Sequence, residues 1–269
     1  MIDGVVVAAL TPFDDAGALD VRRIPGYVDF LLEAPVGGIM VGGTTGEFVT
    51  MTSDERIEAI GAFAAAAGGR APVIAHVGHA APAEACRLAT RAAEAGADAL
   101  TAITPYFHPV GQAAVDAYFR HVAGAVPALP FHVYNYPDAS GNRIAPATFR
   151  ALLDMPNLAG VKLSVGTFAE VEPYLELLGK ITVMSGNDAL AVPFAEAGGT
   201  AIVSGNASVR PRLMADLFAA ARGRDAAAVE RLVAELDRLR ERTAAAPDRL
   251  KAVLRASGVD IGSARVRTA

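Results

Sequence analysis

Gly38-Ile39-Met40-Val41-Gly42-Gly43-Thr44-Thr45-Gly46-Glu47 begins as a short apolar run and turns through glycines. A little further on, Thr52-Ser53-Asp54-Glu55 has the spacing of a helix capping box. The segment therefore reads as strand, glycine turn and helix. The same alternation of short apolar runs with Ala-rich amphipathic stretches recurs at intervals of roughly 25 residues, the pattern of repeated strand–helix units. Eight strands are expected: Val5-Leu10, Gly38-Val41, Val73-His76, Ala99-Ile103, Phe131-Asn135, Gly160-Leu163, Ile181-Ser185 and Ala201-Ser204. A helix follows each, the fifth starting at Pro146, a residue suited to a first helical turn.

Eight such units in one chain favour closure into a (β/α)8 TIM barrel, with a doubly wound open sheet as the competitor. The eighth helix lies near Val209-Arg222. Beyond it, Ala226-Arg242 and Asp248-Ser257 read as further helices, too polar on one face to be buried all round and so expected outside the barrel. The expected division is a barrel over residues 1–222 and a C-terminal helical extension over 223–269 packed upon it.

Composition narrows the function classes. With 52% hydrophobic and 20% charged residues over 269 positions, the chain can build a large core and is not a disordered protein. Its apolar runs are too short for a bilayer. A net charge of −5, with no basic block and no tryptophan, argues against a nucleic-acid surface. A single cysteine, Cys86, excludes an intrachain disulfide, and the amino-terminal residues lack the pattern of an export signal. A soluble cytoplasmic protein is the expectation, with no membrane and no nucleic-acid partner.

Arginine is abundant and lysine scarce: only Lys162, Lys180 and Lys251 occur. Lys162 sits in Leu158-Ala159-Gly160-Val161-Lys162-Leu163, an apolar setting that disfavours an ammonium and exposes the amine as a nucleophile. Its natural chemistry is a Schiff base with a carbonyl substrate; the alternative is a strand-end lysine whose stem packs while its head reaches water. In a barrel, functional groups gather at the carboxyl ends of the strands. The second strand delivers Gly43, Thr44 and Thr45 there, with backbone N–H groups, two hydroxyls and a helix start that suit a carboxylate or phosphate. The glycines are too few for a nucleotide P-loop. The fifth strand delivers Tyr134, a phenol able to pass protons, or else an aromatic wall residue. Tyr106, Gly186, Asn187, Asp188 and Ser204 add polar atoms to the same rim. His76 and His79 lack a third ligand at metal-site spacing, so no metal is expected. Cys86 reads as a small core residue.

Taken together, Ala9-Leu10-Thr11-Pro12-Phe13, Gly43-Thr44-Thr45-Gly46-Glu47, Thr104-Pro105-Tyr106, Tyr134-Asn135-Tyr136-Pro137 and Gly160-Val161-Lys162 resemble the dihydrodipicolinate synthase and N-acetylneuraminate lyase superfamily in order and spacing. The resemblance implies a class I lyase or aldolase in which Lys162 forms an imine with pyruvate or another 2-oxo acid. No separate cofactor is implied, since the imine itself is the electron sink. It further implies Thr44 and Thr45 on the carboxylate, Tyr134 as acid and base, the Val203 backbone beside the keto acid, and a homotetramer built from dimers. Phe107 stands where dihydrodipicolinate synthases usually carry a second tyrosine, and Asp138-Ala139-Ser140-Gly141 lacks their arginine. Tyr134-Asn135-Tyr136-Pro137 followed by Ser140-Gly141 is similar instead to 2-keto-3-deoxy sugar acid aldolases. The expected activity is therefore cleavage or formation of such a sugar acid, with a neutral hydroxylated aldehyde held by Asp188, Asn187 and Ser204. Arg143 is the nearest cation after the fifth strand. The alternatives are 4-hydroxy-tetrahydrodipicolinate synthase, a sialic-acid-lyase-like or dehydratase activity, and a non-catalytic keto-acid-binding barrel.

Overall fold

The computed structural model describes residues 2–268. Eight parallel strands close into a barrel in chain order: β1 Gly4–Ala8, β2 Gly38–Val41, β3 Val73–His76, β4 Ala99–Ile103, β5 Phe131–Asn135, β6 Leu158–Leu163, β7 Thr182–Ser185 and β8 Ala201–Ser204. The helices are α1 Ile24–Leu32, α2 Ser53–Ala67, α3 Pro82–Glu94, α4 Gln112–Gly124, α5 Pro137–Ser140, α6 Pro146–Leu152, α7 Glu172–Leu175, α8 Ala191–Glu196, α9 Pro211–Arg222, α10 Ala226–Thr243 and α11 Pro247–Ala256.

Side-chain alternation along each strand explains the two layers. Val6, Ala8, Met40, Ile74, Ala99, Met184, Ala201 and Val203 point inward and form one cluster inside the barrel. Their neighbours Val5, Val7, Ile39, Val41, Val73, Ala75, Val161, Val183 and Ile202 point outward into the larger core shared with the helices. Strands buried on both faces read as continuous apolar runs, which is how this sequence reads. Among the described residues, no helix is long and apolar enough to cross a membrane.

Three strands have bounds that differ from the sequence reading. The first strand ends at Ala8; Ala9 N–H still reaches Met40 O at 2.9 Å, whereas Leu10 N–H turns to the Tyr27 hydroxyl at 3.3 Å. The sixth begins at Leu158, because Gly160 is not its start but a close approach beside a register shift between Phe131 and His132. A Cβ on Gly160 would meet His132 Cδ2 at 2.9 Å, so only glycine fits. The seventh begins at Thr182 rather than Ile181, which pairs outside the barrel sheet with Leu178.

The capping box of α2 is present, with the Thr52 side chain accepting from Glu55 N–H and the Glu55 carboxylate accepting from Thr52 N–H. Cys86 lies in α3 and packs against the core. Helix α10 buries Leu232, Leu236 and Leu239, one stripe at helical spacing, against the outside of the barrel.

Candidate active site

Lys162 lies within the barrel mouth, paired in register with Tyr134 on one side and Met184 on the other. It is buried, with Nζ 4.0 Å from the centroid of the Tyr134 ring and 3.8 Å from Met40 Sδ. The three lysines thus have separate fates. Lys180 is exposed, and Lys251 is ion-paired with Glu47 at 3.0 Å in the interior. Lys162 alone is buried among apolar and aromatic groups, with no carboxylate partner among the described residues. Gly186 makes room for it, since a Cβ there would lie 2.8 Å from Lys162 Cε.

Above the amine opens a cavity of about 480 Å³. Thr44 and Thr45 line it from the β2 loop, Ala8 and Val203 from β1 and β8, Ser164, Val165 and Gly166 from the end of β6, and Gly186, Asn187 and Asp188 from the end of β7. Tyr136 and Asp138 close one side, and Gly205 and Asn206 the other. Of the residues selected from sequence, Lys162, Thr44, Thr45, Val203, Gly186, Asn187 and Asp188 therefore meet at one surface.

The others stand behind it. Tyr134 is buried, and its hydroxyl accepts from Ser164 Oγ at 3.4 Å, so Ser164 connects the phenol to the cavity wall. Tyr106 packs edge-on against Phe48, centroids 5.9 Å apart, in a cluster with Tyr134 and Tyr136. Gly43 contributes its carbonyl to Phe48 N–H at 3.4 Å. The Ser204 hydroxyl accepts from Ala207 N–H at 2.9 Å, fixing the turn after β8.

The β2 loop does not run straight into a helix, contrary to the sequence reading. A 3-10 turn at Phe48–Thr50 intervenes, and the α2 amino terminus is occupied by its own capping box. The loop is shaped instead by Glu47, in the left-handed region with φ 61°, whose N–H donates to Thr44 O at 3.0 Å. Thr11 Oγ1 donates to Gly46 O at 2.7 Å. These bonds leave the hydroxyls of Thr44 and Thr45 without a hydrogen-bond partner among the described residues, facing the cavity.

Electrostatics separates the rim groups. The Asp188 carboxyl is pushed above its ordinary range by burial, although Asn206 Nδ2 donates to its Oδ2 at 2.7 Å; its Oδ1 is buried with no donor. His76, behind Tyr134, accepts from Ile103 N–H through Nε2 at 3.2 Å. Its imidazole is held well below the usual histidine range, first by burial and then by Arg56 and Lys162. His76 is a packed interior residue, bonded through its carbonyl to Arg56 Nη2 at 2.6 Å. Among the described residues, no group of His, Cys, Asp or Glu is arranged to hold a metal ion.

The sequence reading placed no cation near the distal part of the site, and this is corrected by Arg240. It lines the cavity from the last turn of α10, with Ala244, Ala245 and Pro247 beside it. Helix α10 packs against α9, and the junction between α10 and α11 lines the mouth. Arg143 is mostly exposed, 3.7 Å from Glu170, and does not line the cavity. Nothing in the local sequence marks Arg240, because its place depends on how the extension docks.

A buried lysine amine beside a phenol, facing unpaired hydroxyls at the carboxyl ends of barrel strands, defines a (β/α)8 enzyme of the class I, lysine Schiff-base lyase type. The chain belongs to the Dihydrodipicolinate synthetase family, with a match across residues 1–267. It is 40% identical over 229 residues to a 4-hydroxy-tetrahydrodipicolinate synthase of Pseudomonas aeruginosa, covering 85% of this chain and 78% of that one. It is 35% identical over 266 residues to the enzyme of the same name from Synechococcus sp. (strain CC9605), covering 97% and 87%. A similar solved structure is the chloride-inhibited dihydrodipicolinate synthase of Acinetobacter baumannii complexed with pyruvate, at TM-score 0.92 and 28% identity over 100% of this chain and 93% of that one. Members of the family are pyruvate-dependent and work through a lysine Schiff base.

Proposed function

We propose that this protein joins pyruvate, held as an imine on Lys162, to an aldehyde, in the manner of its relatives named 4-hydroxy-tetrahydrodipicolinate synthase. The observation that carries the reading is the buried, unpaired Lys162 amine at the floor of the cavity, 4.0 Å from the Tyr134 ring. Lys162 Nζ attacks C2 of pyruvate, and the carbinolamine loses its hydroxyl as water. Tyr134, linked through Ser164 to the cavity, passes the proton in and out. Thr44 and Thr45 donate their hydroxyls to the pyruvate carboxylate, and the Val203 backbone lies beside the keto acid. Loss of a C3 proton then gives an enamine, whose C3 attacks the aldehyde carbon. Water finally releases the product and restores the amine.

The product named for the relatives is a dicarboxylate, so the aldehyde brings a carboxylate of its own. That name, and the presence of Arg240 on the wall, favour a carboxylated aldehyde such as aspartate semialdehyde over the neutral one expected from Tyr134–Gly141. Cleavage of a 2-keto-3-deoxy sugar acid is the second reading, favoured by the exposed Asp138 carboxylate on the cavity wall, which suits a substrate hydroxyl. Comparing kcat/KM for condensation of pyruvate with aspartate semialdehyde and with glyceraldehyde separates the two. Preference for aspartate semialdehyde supports the synthase reading; preference for glyceraldehyde, with pyruvate release from 2-keto-3-deoxygluconate, supports the second.

A homotetramer built from dimers is part of the same proposal. Phe107 is 84% exposed with φ 80°, an uncommon backbone state for a bulky residue, and its ring meets His108 edge-on at 4.9 Å, a pair that suits a contact with a second copy.

A further inference from the structure

Among the described residues, two cations line the cavity, Lys162 at its floor and Arg240 at its mouth. Arg240 is 41% exposed, and its one side-chain bond among the described residues runs from Nη1 to Asp237 Oδ1 at 3.0 Å. That pair is a solvent-exposed contact on the same helix, which holds the side chain weakly and leaves most of the guanidinium donors free. Its backbone is held far more firmly. Thr243 Oγ1, at the end of α10, donates to Asn206 Oδ1 at 2.8 Å, and Asn206 Nδ2 donates to Asp188 Oδ2 at 2.7 Å. This buried chain ties the last turn of α10 to the rims of β7 and β8. Ala244 and Ala245 follow with φ 45° and 53°, a conformation that costs an alanine energy and survives only where the surroundings impose it. The strained turn keeps α10 ending at the cavity, where Arg240 can reach inward.

We propose that Arg240 forms a second anion subsite, which takes the distal carboxylate of the aldehyde that meets the enamine on Lys162, or of a longer 2-oxo acid bound to Lys162 itself. The proposal deepens the Schiff-base reading and rests on it. A cavity of about 480 Å³ has room well beyond a three-carbon acid, and a planar guanidinium fork matches a carboxylate in two parallel hydrogen bonds. Apart from the exposed Asp237, no acid bonds that fork among the described residues: Asp188 Oδ2 accepts from Asn206, and neither Asp188 nor Asp138 is bonded to Arg240.

The test uses the full chain and borohydride trapping of three 2-oxo acids on Lys162: pyruvate, 2-oxovalerate and 2-oxoglutarate, the last two equal in carbon number and differing in the distal carboxylate. Wild type should half-saturate with 2-oxoglutarate at a concentration about 10- to 100-fold below that for 2-oxovalerate, the range for a hydrogen bond to a charged group. Arg240→Gln should lose that preference, and Arg240→Lys should keep part of it. If pyruvate labels Lys162 but wild type shows no such preference, or Arg240→Gln retains it, the Arg240 subsite is overturned alone. If none of the three acids labels Lys162, the Schiff-base reading falls, and the subsite with it.

Discussion

Replacing Lys251 with methionine should destabilise the protein far more than its place on a short C-terminal helix suggests. Lys251 and Glu47 form an ion pair whose side chains are 2% and 0% exposed. The ammonium also donates to Thr11 O and Ser263 O, each at 2.6 Å, and lies 4.6 Å from the centroid of the Phe13 ring. Glu47 Oε2 accepts from Val266 N–H at 2.7 Å. Lys251→Met therefore leaves a carboxylate buried with one backbone donor and no countercharge, a loss of about 3–5 kcal/mol. For a chain of this size that corresponds to a fall in Tm of roughly 6–20 °C, read by circular dichroism. Adding Glu47→Gln removes the stranded charge and should restore at least about half of the fall. Because Glu47 also shapes the Thr44–Thr45 loop, the single variant should weaken pyruvate half-saturation more than it lowers kcat. A Tm change under about 2 °C, or a double variant no more stable than the single one, would refute the reasoning.

Two other perturbations follow from the same geometry. Tyr134→Phe should leave the fold intact and lower turnover by roughly 100- to 10,000-fold, the range for losing a positioned acid or base; near-wild-type turnover would move the proton relay to another group. Acid should destabilise the barrel through its interior histidines, because burial holds His132 at about 4 while the unfolded chain takes up the proton near 6.5. Stability should then fall as pH drops from about 6.5 to about 4, by up to about 1.4 kcal/mol per pH unit for this residue, and His132→Gln should flatten the slope of urea stability against pH. A slope unchanged by the substitution would assign the acid sensitivity elsewhere.

The barrel was legible because its strands are short apolar runs of even spacing, and because Thr52-Ser53-Asp54-Glu55 marks a helix start by a local rule. Lys162 was legible for a related reason: a lysine in a strand of Gly, Val and Leu breaks the local pattern. Lys251 follows Asp248-Arg249-Leu250 and looks like any charge on a helix surface, yet it is buried against Thr11 and Glu47 from the other end of the chain. Arg240 was hidden likewise, since its place is set by the bond from Thr243 to Asn206 and by two alanines in an unfavourable backbone conformation. Gly160 misled in the opposite direction. A glycine usually punctuates a strand, and here it lies inside one because no larger residue clears the Thr182 carbonyl and the His132 ring.

The central claim is that the Lys162 amine captures the keto group of pyruvate. Borohydride added to the full-length protein with pyruvate should inactivate it and place one reduced pyruvyl group on the peptide containing Lys162, as read by mass spectrometry. Lys162→Arg, which keeps the charge but cannot act as a free amine, should take up no label and have no activity. Labelling of Lys180 or Lys251 in place of Lys162, or no labelling at all, would contradict the account.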